Sequence, residues 1–108
     1  MYPGFDEVIH PQPRLSIVAL LAAADWAEFS FIRDSVGLSD SALSKHLSTL
    51  EQAGYVTIRK TSTGRRRTTD LRLTRQGRAA FEAHAAALRA LIGNARPTPP
   101  AAPPPAEA

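Results

Sequence analysis

The sequence predicts a mainly α-helical α+β domain: a helix-turn-helix, then a β-hairpin, then one further helix. Three observations lead there. Between Ser39 and Gly54, Leu43, Leu47 and Leu50 recur at i, i+4 and i+7, a narrow apolar stripe at helical spacing. A short helical stretch ending at Gly37 comes just before it, the spacing of two helices joined by a tight turn. After Gly54 the period changes to two, and two alternating runs flank a segment of glycine and arginine.

Taken in order, residues 1–12 read as an N-terminal arm with two prolines and no clear period, whose Phe5, Val8 and Ile9 would dock on the domain or on a partner chain. The folded domain is expected over 13–92. Pro11 and Pro13 bracket a helix start, since proline is tolerated in a first helical turn. Leu15, Val18, Leu21 and Ala22 then share one face, widened by Ile17 and Leu20. A helix apolar over most of its circumference belongs in the core or in an oligomer contact. Asp25 and residues 27–29 break that pattern, and Glu28-Phe29 suffices only for a strand stub. Ser30 is the candidate N-cap of a second helix, Phe31 to Val36, and Leu38 in the following turn should tuck between helices.

The third helix has Ser39 as N-cap and Gly54 as its left-handed terminator. A half-buried strand follows over Tyr55–Lys60, then an exposed basic loop over Thr61–Arg67. A second strand over Thr68–Leu73 turns Leu71 and Leu73 inward. Thr74 is the N-cap candidate for a last helix reaching about Ile92, where Phe81, Ala85, Leu88 and Ile92 fall at 4-3-4 spacing, compatible with a coiled-coil seam. From Gly93 the sequence holds six of the nine prolines and almost nothing to bury, so 93–108 is expected to be a disordered Pro/Ala-rich tail.

Composition narrows the function. There is no cysteine, which removes disulfides, thiol catalysis and thiolate metal sites. No run nears the ~20 apolar residues of a membrane span, and Ile17–Ala24 lacks a basic leader, so a cytoplasmic protein is expected. The serines have no spaced base and acid, no glycine loop suits phosphate, and the carboxylates are scattered; no enzyme and no cofactor are expected. His10 and His84 lack partners at metal-ligand spacing, and Glu82 with His84 makes at most part of a metal site. Charge is more informative. Nine basic residues between Ser44 and Arg78 face only Glu51 and Asp70, a net +7 in that third of the chain that leaves −4 elsewhere. Segregated positive charge on a small domain points to a polyanion.

Within the third helix, Ser41, Lys45 and Ser48 lie opposite the leucine stripe, with Ser44 and Thr49 flanking them. Ser39, Asp40 and Ser41 occupy the helix N-terminus, the end that meets base edges in helix-turn-helix proteins. Short hydroxyls and Lys45 can bond bases or phosphates, and Asp40 serves either the helix dipole or a cytosine. His46 borders the stripe, where a buried or half-buried structural role is open to it. Arg65, Arg66 and Arg67 repel one another unless an anion or solvent separates them, which suits a wing in a minor groove. Thr61 and Ser62 can add phosphate hydrogen bonds, while Arg59, Lys60 and Arg72 depend on which way each strand faces. Trp26, Phe29 and Phe31 are candidate core residues or walls of an effector pocket.

This order of elements is that of a winged helix-turn-helix with a helix after the wing. Leu43-Ser44-Lys45-His46-Leu47 followed by Leu50–Val56 resembles the recognition-helix segment of the MarR and ArsR groups of bacterial transcriptional regulators. Leu73-Thr74-Arg75-Gln76-Gly77-Arg78 resembles the turn that opens the helix after the wing in MarR-like proteins, and the likeness spans residues 8 to 92. It implies a homodimeric, double-stranded-DNA-binding transcription factor, commonly a repressor, and leaves His46 open to a DNA-backbone role beside its structural one, since similar regulators often turn this residue toward the DNA. Leu15, Val18, Phe81, Ala85, Leu88 and Ile92 are the dimer-contact candidates; a small-molecule effector is permitted but has no support in the residues. The rival is a winged helix docking on an acidic protein, and RNA is also open to a basic face.

Overall fold

In the computed structural model, which describes residues 3–95, four helices accompany a three-stranded antiparallel sheet of order β1-β3-β2. The elements are α1 (Gln12–Ala22), β1 (Ala27–Glu28), α2 (Phe29–Val36), α3 (Asp40–Gln52), β2 (Val56–Thr63), β3 (Arg66–Leu73) and α4 (Arg75–Ala95). The core gathers Ile17, Val18 and Leu21 of α1, Ile32 of α2, the three leucines of α3, and Val56, Leu71 and Leu73 of the hairpin. Ile9 joins it with no exposed surface. Residues expected to form an arm thus fold back on the domain itself, because Ile9 has an apolar place to fill.

The helix ends hold as their residue types dictate. The Ser39 hydroxyl accepts from the Ala42 N–H, and Gly37 (φ 71°) ends α2. At the end of α3 the Tyr55 N–H reaches Leu50 O and the Gly54 N–H reaches Glu51 O, both at 2.9 Å. That double bond pattern needs a left-handed residue, and Gly54 supplies it at φ 83°. Thr74 Oγ1 accepts from the Gly77 N–H and donates to Gly54 O, so one hydroxyl both caps α4 and ties it to the end of α3. Gly77 is required for packing: a Cβ there would lie 2.2 Å from Tyr55 O.

Four expectations need correction. Ser30 is not the cap of α2, which begins at Phe29, two residues earlier than expected, with Glu28 at its N-cap; the Ser30 hydroxyl donates to Glu28 instead. The long basic loop is absent, because β2 pairs with β3 out to Thr63 and Arg66, leaving only Gly64 and Arg65 in the turn. Phe31 is 57% exposed on the outer side of α2 rather than buried. Helix α4 runs past Ile92 through Gly93 and Asn94 to Ala95, since no proline interrupts it before Pro97; the remaining tail lies outside the described residues. Among the described residues no helix is long and apolar enough to cross a membrane.

Candidate nucleic-acid interface

Burial of Leu43, Leu47 and Leu50 fixes how α3 is rotated, and everything on its outer side follows. At 100° per residue, Ser41, Lys45, Ser48 and Gln52 point straight away from the core, and all four are exposed. Ser44, with Asp40 and Glu51, leans toward the hairpin, where these residues line a cleft shared with Phe29, Lys60 and Thr69. Ser39 spends its hydroxyl on the cap and sits 3.3 Å from the Ser41 hydroxyl.

Asp40 and His46 mark the edges of this face. Arg33 of α2 bridges Asp34 at 2.8 Å and Asp40 at 2.9 Å, so the one carboxylate in the first turn of α3 is already paired. The hydrogen bond that Arg33 donates to Asp34, then that to Asp40, push its guanidinium above its ordinary value. His46 turns toward α1, where Arg14 Nη1 lies 3.3 Å from its Nδ1. A guanidinium can only donate, so Nδ1 accepts and the ring proton sits on Nε2. Burial, then the Arg14 and Lys45 charges, push the His46 imidazole below 6.5. Thr49, half-buried beside it, donates its hydroxyl to Lys45 O within the helix.

The hairpin register sorts the remaining cations. Lys60 pairs with Thr69 and Ser62 with Arg67, while Ile58 pairs with buried Leu71. By strand alternation Lys60, Ser62, Arg67 and Thr69 share the sheet face that looks toward α3. Thr61, Arg66, Arg59 and Arg72 take the opposite face. There Arg59 stacks 3.9 Å from the Trp26 ring centroid and Arg72 lies 5.4 Å from it. Arg72 also bridges Asp25 at 3.1 Å, Arg59 bridges Asp70 at 3.4 Å, and Arg66 approaches Glu28 at 3.9 Å. Arg65 occupies the turn itself, exposed.

Lys60 therefore stands beside the outer face of α3, although alternation alone left its direction open; the signal that decides it is Val56 and Ile58 pairing inward with Leu73 and Leu71. Trp26, Phe29 and Phe31 do not converge on one pocket: Trp26 lies under two arginines, Phe29 packs on the core and Phe31 faces solvent. Of the dimer candidates, Val18 is fully buried in its own core and has no surface to offer a second chain. Leu15, Phe81, Ala85 and Leu88 are half-buried, and Ile92 is 67% exposed next to exposed Leu91.

The described residues contain no cluster of three or more metal-ligating side chains. Ser44, Lys45, Ser48, Lys60 and Arg67 are exposed and make no side-chain hydrogen bond or ion pair among the described residues. Together they form a polar, cationic surface that presents donors to a negatively charged, hydrogen-bonding ligand.

The family described as a winged helix DNA-binding domain matches residues 14–92. An uncharacterized protein of Methanocaldococcus jannaschii, MJ0432, is 35% identical over 69 residues, which cover 64% of this chain and 75% of that protein. The transcriptional regulator homologue from Pyrococcus horikoshii superposes with a TM-score of 0.77 at 26% identity, over 82% of this chain and 88% of that one. A zinc-responsive MarR family member from Lactococcus lactis, ZitR, shares the fold with a TM-score of 0.62 at 19% identity, over 82% of this chain and 60% of that one.

Proposed function

We propose that this chain, which belongs to the winged helix DNA-binding domain family, is a sequence-specific duplex-DNA-binding transcriptional regulator that represses as a homodimer. The observation that carries this reading is the unpaired polar surface of α3 running into the cationic inner face of the hairpin. In it, α3 enters the major groove with Ser41, Ser44, Lys45 and Ser48 toward base edges and phosphates. Ser39 and Asp40 contribute through the helix end, and His46 and Thr49 meet the backbone at the α1 edge. The wing follows the adjacent backbone or minor groove with Thr61, Ser62, Arg65, Arg66 and Arg67, to which Lys60 is now added.

A dimer of this kind sets two recognition helices about 34 Å apart and reads a pseudo-palindromic site. Ile92 with Leu91, and the half-buried Leu15, Phe81, Ala85 and Leu88, supply the apolar contact; a chain of this type acts in the cytoplasm and carries no catalytic site. Selection of bound sequences from random duplexes with purified protein tests the reading. Recovery of one pseudo-palindromic motif is expected, and flat recovery would refute specific regulation.

A further inference from the structure

The N-terminal segment and α4 meet at a cluster that the nucleic-acid face does not use. His84 of α4 is the one fully buried polar side chain among the described residues. The Asp6 N–H donates to its Nδ1 at 2.9 Å, and its Nε2 faces His10 Nδ1 at 3.4 Å. The Phe5 ring closes the cluster, 4.6 Å from the His10 ring centroid and 4.9 Å from that of His84. Because a backbone N–H can only donate, Nδ1 of His84 must keep its lone pair, and its one proton sits on Nε2 toward His10.

The same segment is tied elsewhere. Asp6 Oδ1 accepts from the N–H groups of Val8 at 2.8 Å and Ile9 at 3.1 Å, and Asp6 Oδ2 accepts from the Tyr55 hydroxyl. Tyr55 also ends α3 through its own N–H. Arg14 donates to Val8 O and to His46 of α3. One short segment therefore joins α4, the α3–β2 junction and the middle of α3.

We propose that residues 5–10 are a proton-released clasp: while His84 is neutral they bind α4 to the α3–β2 junction, and protonation of His84 lets them go. A second proton on His84 has to occupy Nδ1, where it would meet the Asp6 N–H donor to donor. The new cation would also lie fully buried against His10, cut off from the solvation a charge needs. Burial first, and then His10, push the His84 imidazole below its ordinary 6.5, against the opposing pull of the Asp6 and Glu7 carboxylates. Tyr55, neutral and bonded to Asp6, and Arg14, bonded to Val8, are the other ionisable groups that touch the segment. Since the open form binds the proton more readily, the clasp is closed above pH 6.5 and loosens as pH falls below it. The clasp touches only the edge of the nucleic-acid face, through Arg14 and His46, and needs no DNA to act.

Amide hydrogen exchange of the full chain, corrected for the intrinsic rate, tests it. Protection at Asp6, Val8 and Ile9 should drop several-fold, to at most about tenfold, between about pH 7.5 and about pH 5.5, while α3 amides stay protected. His84→Asn keeps an acceptor for the Asp6 N–H but does not titrate, so its protection should stay flat over the same range. Nitrogen chemical shifts of wild-type His84 provide a check that needs no variant, and should report the proton on Nε2 near neutral pH. Unchanged wild-type protection, an identical loss in His84→Asn, or a proton on Nδ1 at neutral pH would each overturn the clasp.

Discussion

On the α3–hairpin face, Ser44, Lys45, Ser48, Lys60 and Arg67 stand exposed without a partner among the described residues; at the junction of α4 with the N-terminal segment, Asp6, His10, Tyr55 and His84 satisfy one another almost completely. The contrast extends to one residue type. His84 is sealed in and fixed in one tautomer by a backbone donor, whereas His46 sits half-buried at the rim of the outer face of α3, where its Nδ1 faces Arg14. A polar surface whose bonds are all made internally is a joint of the fold. One whose donors are left over is solvated and open to a partner outside the chain.

The sharpest way to break the joint is Gly77→Ala. Its Cβ would collide with Tyr55 O, a backbone atom, so α4 or the end of α3 must shift. We expect a loss on the order of 3 kcal/mol or more in urea unfolding. On the open face, Lys60→Ala with Arg67→Ala should leave stability within about 0.5 kcal/mol, yet weaken binding to every duplex about tenfold or more. Lys45→Ala should shift preference between duplex sequences as well as affinity, which a competition series would read.

Smaller effects sharpen the same contrast. Tyr55→Phe removes the bond to Asp6 and should cost about 1 kcal/mol. That bond raises the Tyr55 hydroxyl from 10.0 to about 12, followed in effect by burial and by the Asp6 charge. Its stabilisation is therefore complete below pH 10.0 and is lost as pH rises toward 12; the alkaline decline in melting temperature should shrink in Tyr55→Phe. Ser39→Ala should cost about 1 kcal/mol through the lost cap. Phe31→Ser, on exposed α2 surface, should change stability by no more than about 0.5 kcal/mol.

The two faces were not equally legible in the sequence. The leucine stripe, Ser39, Gly37, Gly54 and Thr74 act through local rules, so α3 and its outward residues could be read directly. The hairpin strands were legible but not their extent, because Thr61–Thr63 and Arg66–Arg67 gain strand geometry only by pairing with each other. That pairing also set the direction of Lys60. The clasp was hidden because its partners lie 78 residues apart at Asp6 and His84, and 49 apart at Asp6 and Tyr55. Apolar Phe5, Val8 and Ile9 pointed to docking, but proline-flanked residues without a period could not tell the chain's own core, which Ile9 reaches, from a partner chain. Ser30 misled as a cap because Glu28, paired in β1, already holds that place.

The central claim is that the unpaired cationic face of α3 and the hairpin binds duplex DNA. Its most direct test is the slope of log affinity against log salt for wild type and for Lys60→Ala with Arg67→Ala. A steep wild-type slope that flattens by about 2 in the double variant is expected, near 0.9 for each phosphate left without its cation. A wild-type affinity independent of salt, or a slope unchanged by the double substitution, would contradict the account.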